Sequence, residues 1–348
     1  MPTVPMGFFP LDSQLRVAAT WSEQVAKHAV WLCGQVDDDF AEEVMAKIGG
    51  VHLSDTSIWR QEQRWGEQIR RRETLRAKSA NALPLRGQVG PTAFRDPTSR
   101  GVAMDGAMIF VRHEGWKELK AGCVFDIALQ PEIVKESGET EWFAHAVNTS
   151  YLGVLGGPEK FGQHLWAEAL RRRIPQAYDS LVCGDGAPWI WNLALEHFGD
   201  SRQVVDWYHS SEHLYKAAHL AFGEGNAEAI RQAKGLETPL YQGHASQVAA
   251  TLREWADEFP AVAKELRSEA GYFENNKRRM QYLELREDGF PIGSGMIESG
   301  CKQFRARFNG SGMRWSRDGA ERMIPVRAAI MSGRFEHVWH DAYNSPPI

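Results

Sequence analysis

The sequence predicts a mixed α/β protein in which a helical N-terminal region precedes a sheet-based core that carries an all-helical insertion. Three observations support this fold class. Between residues 101 and 151, three β-type runs follow one another; from 161 to 205, helices alternate with short apolar strands; from 211 to about 285, nearly every segment has helical spacing. This order, in which three strands are followed by a helix, a strand, a helix and a strand, is expected for a chain with one central sheet.

The N-terminal region, residues 1–76, is predicted to be helical. Apolar residues recur at helical spacing over Glu23–Gln35 and Phe40–Ile48, and Ser54 can cap a third helix. The second and third helices flank a Gly-Gly turn, which fits a helix-turn-helix-like DNA-binding region. A plain helical hairpin fits the same pattern equally well.

The core is predicted in two parts that the insertion separates. After a linker over 77–100, which is rich in Pro, Gly, Asn and Thr, its first part takes up residues 101–210. Residues 211–290 form the insertion, and residues 291–348 return to the core with a helix near its start and basic helices after it. The predicted strands are Gly101–Arg112, Trp116–Leu129, Glu141–Tyr151, Ser180–Cys183 and Gln203–Val205, and the helices between them are Phe161–Arg172 and Trp189–Phe198.

Composition excludes several classes of protein. No stretch approaches the ~20 apolar residues of a membrane helix, and the first residues lack the basic and apolar parts of a secretory signal. The four cysteines are scattered without a Cys-x-x-Cys pair, which is typical of reduced cytoplasmic thiols rather than of a disulfide framework or a cysteine zinc site.

Charge is unevenly distributed along a chain whose net charge is −5. Residues 57–100 hold ten basic and four acidic side chains, and residues 301–327 hold seven and two, whereas residues 185–275 hold fourteen acidic and seven basic ones. Two basic regions around an acidic middle indicate a polyanion bound at two places. Solvated charged faces on an ordinary enzyme are the alternative.

Three carboxylates stand at informative places in the predicted core. Asp105 lies inside the first strand, Asp185 follows the buried strand SLVCG directly, and Glu298 opens a helix after a Gly-Ser-Gly turn. A buried acid is costly unless it is paired or binds a cation, and grouped acids repel one another unless metal ions lie between them. Two Mg²⁺ (or Mn²⁺) ions held by such acids would serve in-line attack on a phosphodiester. Helix capping is the alternative role for Asp185 and Glu298.

Four segments resemble the bacterial insertion-sequence transposases of the ISKra branch, which are distantly related to the Mutator-like superfamily. The segments are DGAMIFVR, CGDGAPWIW, DWYHSSEHL and PIGSGMIESGCKQFRARFNGSGMRWS. The resemblance extends over essentially the whole chain. It implies a ribonuclease H-like catalytic domain whose DDE triad is Asp105, Asp185 and Glu298, with the helical insertion between the second Asp and the Glu. It also implies an Asp-x-x-His signature that makes His209 a further catalytic residue.

The function that follows is DNA transposition: metal-dependent cleavage at the ends of an insertion sequence and strand transfer into target DNA. The expected partner is double-stranded DNA, bound by a homodimer or higher oligomer in the bacterial cytoplasm at the nucleoid, with no membrane involved. Lys302 and Arg305 recur on the face of the Glu298 helix, and Trp315 lies among further arginines where it could stack on a base or pack in the core. The predicted DNA-contacting residues are Arg60, Arg64, Lys302, Arg305, Arg307, Arg314, Trp315 and Arg317.

Other classes of function remain open at this point. His209-Ser-Ser-Glu212-His213 spells the inverted zinc-protease pattern H-x-x-E-H, but three fixed positions occur easily by chance and this reading leaves Asp105 and Asp185 unexplained. A ribonuclease H-like nuclease without strand transfer and a transposase-derived DNA-binding protein are the closer alternatives.

Overall fold

A computed structural model describes residues 17–18, 21–82, 96–133, 138–311 and 313–345. These residues form two compact units. The helical unit contains the described residues up to Leu75, the segment Met108–Lys117 and the described residues from Gln303 onward. The sheet unit contains the described residues of Arg76–Ala107 and Glu118–Lys302. The C-terminal residues predicted to belong to the core are thus grouped, from Gln303 onward, with the N-terminal helices.

The N-terminal helices are α1 (Glu23–Cys33), α2 (Asp38–Lys47) and α3 (Asp55–Asn81), preceded by the two-residue strands β1 (Val17–Ala18) and β2 (Trp21–Ser22). Ser54 acts as the predicted cap, because its hydroxyl oxygen accepts the Ser57 N–H at 3.3 Å. The third helix has 27 residues, or about 40 Å of length, and extends into the predicted linker. Residues 83–95 of that linker lie outside the described residues.

The C-terminal helices α12 (Arg317–Met331) and α13 (Phe335–Asn344) complete the helical unit. Trp65 of α3 packs on Trp339 of α13, with ring centroids 4.7 Å apart, and Arg322 donates to the side-chain oxygen of Gln63 at 2.9 Å. Such contacts bury the apolar face of α3, so this long helix is held by packing rather than by helix propensity.

A buried carboxyl in the helical unit makes its stability depend on pH. Glu62 is 1% exposed, and burial raises its pKa to about 8. The folded state therefore keeps a proton that the unfolded state loses near pH 4.5, so stability falls as pH rises from about 4.5 to about 8. We expect Glu62→Gln to match the parent at pH 5 and to exceed it at pH 9 by on the order of 3 kcal/mol in urea unfolding. Glu43→Gln, on the exposed face of α2, is the control, and parallel pH profiles for parent and Glu62→Gln would contradict the assignment.

The sheet unit is built on a five-stranded mixed sheet with the strand order β5-β4-β3-β6-β7. Its strands β6 and β7 run parallel to β3, whereas β4 and β5 are antiparallel to each other. The predicted mixed α/β class is therefore confirmed. The strands are β3 (Arg100–Val111), β4 (Gly115–Ile133), β5 (Thr140–Leu155), β6 (Ser180–Gly184) and β7 (Arg202–Val205).

Helices connect the parallel strands and fill the segment after them. Two helices, α4 (Pro158–Arg171) and α5 (Pro188–His197), follow β5 and β6. Between β7 and residue 294, every residue is described and only helices and their connections occur, as predicted. These helices are α6 (Trp207–Phe222), α7 (Ala227–Tyr241), α8 (Ala245–Glu258), α9 (Ala263–Asn276) and α10 (Tyr282–Glu287), followed by α11 (Gly295–Phe308). No helix of the described residues is long and apolar enough to cross a membrane.

Candidate active site

The register of the parallel strands brings Asp105 and Asp185 side by side. Gly101 pairs with Leu181 and Ala103 pairs with Cys183, so two further steps along both strands place Asp105 beside Asp185. Neighbouring strands lie about 4.8 Å apart, which brings the two carboxylates to the same edge of the sheet. Two of the three acids of the predicted triad are therefore neighbours in the fold.

The electrostatics of Asp105 reflect this neighbour. Burial raises the pKa of its carboxyl, and the negative charge of Asp185 raises it further. The Gly106 N–H, which donates to Asp105 Oδ1 at 2.6 Å, the Cys301 thiol and the charge of His209 act in the opposite direction. The strand thus holds a carboxylate whose ionised form is stabilised by any cation that binds beside it.

Glu298 lies in the first turn of α11, and its charge, like that of Asp185, acts on the buried Cys183 thiol. The Ser294 hydroxyl donates to Glu298 Oε1 at 3.0 Å, and Lys302 Nζ lies 3.9 Å from Oε2. The Tyr151 hydroxyl donates to the Met296 carbonyl at 3.2 Å, which fixes the first turn of the helix against β5. Burial raises the pKa of the Cys183 thiol well above its usual value, and the charges of the nearby acids Asp206, Asp185 and Glu298 add to this effect.

Asp206 is the site residue that the sequence analysis did not select. It follows β7, is 1% exposed, and its backbone N–H donates to the Gly184 carbonyl at 2.8 Å. One carboxylate oxygen accepts the His209 N–H at 2.6 Å and so caps α6, while the other accepts the N–H of Ser294. A single buried carboxylate therefore fixes both the start of the His209 helix and the turn that leads to Glu298.

The acids do not form a complete metal cage. In the part of the chain that the structure describes, no three His, Cys, Asp or Glu side chains are close enough together to hold a metal ion. The donor chemistry nevertheless fits Mg²⁺ or Mn²⁺, because carboxylate oxygens are the ligands that such hard cations prefer. Asp105 and Asp185 are the residues that could hold a first ion. Each accepts a backbone N–H through one carboxylate oxygen, and Glu298 accepts the Ser294 hydroxyl in the same way.

The two histidines of the H-x-x-E-H pattern have different environments. His209 is partly exposed, its charge acts on Asp105, and its Nδ1 lies 3.4 Å from Glu212 Oε2. His213 bonds through Nδ1 to the buried Glu269 at 2.6 Å and stacks on Tyr272 with ring centroids 3.8 Å apart. A zinc protease of this pattern needs both rings on one ion, and the Glu269 bond at Nδ1 leaves Nε2 as the nitrogen through which His213 could bind a metal.

For the DNA cleavage that the sequence resemblance implies, we expect His209→Ala to lower the rate about 10- to 100-fold while the melting temperature stays unchanged, because the ring is partly exposed and its charge acts on Asp105. His213→Ala should instead lower the melting temperature by several degrees, since it removes a partner from buried Glu269. Cleavage rates and thermal unfolding of both variants test this difference. Equal loss of activity in the two variants, with one zinc per chain in the parent, would support the protease pattern instead.

The predicted DNA-contacting residues of the helical unit separate into two groups. Arg307 is buried, donates to the Cys33 carbonyl at 2.5 Å and lies 4.7 Å from the centroid of the Trp315 ring, which also packs on Phe308. Arg317 is ion-paired with Glu114 through two nitrogens. Arg307 is therefore buried by its packing, whereas Trp315 is partly exposed and packs on Arg307 and Phe308. The exposed residues of the predicted DNA-contacting set are Arg60, Arg64, Arg305 and Arg314 in the helical unit and Lys302 in the sheet unit.

Comparison with known proteins gives one distant relative. No known protein-family profile matches the chain. Over 149 residues the chain is 26% identical to a Streptococcus gallolyticus protein described as "UPF0236 protein in vanSb 3'region". This match covers 43% of the present chain and 32% of that protein, so the chain spans about a third of the relative's length.

Proposed function

We propose that this chain is a DDE-type DNA transposase with a ribonuclease H-like catalytic domain, acting at the ends of an insertion sequence. The observation that carries the proposal is the placement of Asp105, inside β3, beside Asp185, which directly follows the parallel strand β6; burial and the neighbouring charge raise the pKa of Asp105. The proposal is also supported by the all-helical segment between Asp185 and the helix of Glu298, which is where the sequence resemblance implies a helical insertion.

In the proposed reaction, water attacks the phosphodiester at the element end, the P–O3′ bond breaks and the 3′-hydroxyl of the element is released. That 3′-hydroxyl then attacks a phosphodiester of the target, forms a new P–O bond and releases the target's own 3′-hydroxyl. Asp105 and Asp185 would bind the divalent cations, with Glu298 as the third ligand, and the cations would supply charge neutralisation and activate the attacking oxygen. Asp206 keeps the α6 and α11 starts in place through its bonds to His209 and Ser294. His209, whose charge acts on Asp105, would hold a phosphate oxygen or orient a carboxylate.

Exposed arginines are proposed to bind the DNA backbone. Neutralising Arg305 and Arg314 together (Arg→Gln) should weaken binding to element-end DNA and reduce the slope of log K against log salt by about 2, one unit for each lost phosphate contact. Arg317→Gln is the matched control, because Glu114 already pairs with that guanidinium. Binding measured from 50 to 300 mM KCl gives the slope, and an unchanged slope in the double variant would remove these two residues from the interface.

The test of the function is an assay with purified chain, Mg²⁺ and DNA that carries the ends flanking the coding sequence. The proposal expects cleavage at the ends and covalent joining to a target plasmid, both abolished by EDTA. Cleaved but unjoined DNA would favour a nuclease of the same fold. Specific binding without cleavage in Mg²⁺ or Mn²⁺ would favour a DNA-binding derivative, and no binding at all would contradict the proposal.

A further inference from the structure

A cavity of about 620 Å³ opens in the sheet unit next to the proposed catalytic residues. Aromatic side chains dominate its lining: Trp142 and Phe143 come from β5, Trp207 and Tyr208 from the start of α6, and Tyr241 from the end of α7. Trp142 and Tyr208 are each 65% exposed. Large aromatic side chains left open to solvent at a concave site are typical of a binding surface.

The cavity also has a cationic side. The guanidinium carbon of Arg286 lies 4.3 Å from the centroid of the Phe143 ring. Within the described residues no carboxylate forms an ion pair with Arg286. Glu132, the acid of the lining, lies 2.8 Å from His145 Nε2 instead. Flat aromatic faces together with an available guanidinium complement a ligand that is both planar and anionic.

The cavity and the carboxylates are joined through the same short segments. Tyr208 precedes His209 directly, and Met296, another lining residue, comes two positions before Glu298. The turn between them is closely packed on the cavity, because a Cβ at Gly293 would lie 3.2 Å from Tyr208 Cε2 and 3.9 Å from Asp206 Oδ2. A DNA strand whose phosphate lies at Asp105 and Asp185 would therefore carry its neighbouring base toward these rings.

We propose that this cavity binds an unpaired nucleobase of the DNA strand being processed, by stacking on Trp142 and Tyr208 with Arg286 near the adjoining phosphate. The inference rests on the proposed function for the identity of the strand. Stacking on aromatic rings holds every base and requires no fixed sequence, since each base has a π face. The site would thus hold the end of the strand open after base pairs next to the cleavage point separate.

The first experiment measures binding in EDTA, so that it does not depend on catalysis. One probe is an octamer of thymidylate, and the other is an octamer of abasic deoxyribose phosphates with the same charge. We expect the parent chain to bind the thymidylate octamer at least tenfold more tightly. Tyr208→Ala and Trp142→Ala should each lower that affinity about tenfold, leave the abasic probe unaffected and keep the parental melting temperature.

Tyr178→Ala is the matched control, because Tyr178 belongs to the same unit and is also 65% exposed but does not line the cavity. Equal affinity of the parent for both probes, or equal losses in Tyr178→Ala and Tyr208→Ala, would overturn the inference. A different outcome would contradict the proposed function alone: the chain would bind the thymidylate octamer more tightly than the abasic probe in EDTA but would cut no element-end DNA in Mg²⁺.

Discussion

Asp105→Asn, Asp185→Asn and Glu298→Gln are each expected to reduce cleavage of element-end DNA at least 10³-fold in Mg²⁺. Each substitution keeps the size of the side chain but removes a negative charge from the proposed cation ligands. Single-turnover cleavage rates measure the effect, and binding of the same DNA in EDTA should remain within about threefold of the parent, because none of the three acids contributes positive charge to DNA binding.

Asp179→Asn is the matched control for this series. Asp179 lies just before β6 in the same unit, and its carboxylate is ion-paired with Arg202 rather than placed beside Asp105. Its cleavage rate should stay close to that of the parent. Near-parental cleavage by any one of the three acid variants would show that the residue concerned does not belong to the catalytic set.

Asp206→Ala should have the second largest effect, on stability and cleavage together. Losing the carboxylate leaves the His209 and Ser294 N–H groups without their acceptor, which we expect to cost about 2–4 kcal/mol of unfolding free energy. Because the Glu298 helix starts at that turn, cleavage should fall about 10²-fold even where the variant is fully folded. Urea unfolding and cleavage rates at 15 °C measure the two effects.

Asp37→Ala provides the comparison, since Asp37 caps α2 in the helical unit by accepting the Phe40 N–H at 2.8 Å. Asp37→Ala should lower the free energy of unfolding by about 1 kcal/mol, as loss of an ordinary helix cap does, and leave the cleavage rate unchanged. Asp206→Asn, which keeps one acceptor oxygen, should lie between the parent and Asp206→Ala. If Asp206→Ala behaved like Asp37→Ala, Asp206 would be an ordinary cap and not a positioning residue.

The pairing of Asp105 with Asp185 could be anticipated from sequence because it depends on local signals. Asp105 interrupts one strongly apolar strand and Asp185 directly follows another, and both strands are expected in one central sheet. The sequence does not show which residue of β3 pairs with which residue of β6. The structure does, with a register that starts with Arg100 beside Ser180. The mixed α/β class and the long helical segment were also predictable, because the spacing of apolar residues along the chain is a local signal too.

Asp206 and Arg307 could not be assigned correctly because their partners are remote in sequence. The Asp-x-x-His pattern drew attention to His209, but the second bond of Asp206 goes to a backbone N–H 88 residues later. Arg307 belongs to a basic run that looks solvated, yet its acceptor is a carbonyl 274 residues earlier. Charge patterns show which residues are ionised and do not show which of them are buried.

The path of the chain around Asp206 bears on how such a protein can change over evolution. The chain leaves the sheet at Trp207 and returns at Ile292, whose carbonyl accepts the Trp207 N–H at 2.9 Å. A segment whose two ends already touch can gain or lose whole helices at little entropic cost, about 0.6 kcal/mol for a doubling of its length. Descendants of one ancestor could therefore differ greatly in length here while the strand edge that bears the acids stays unaltered.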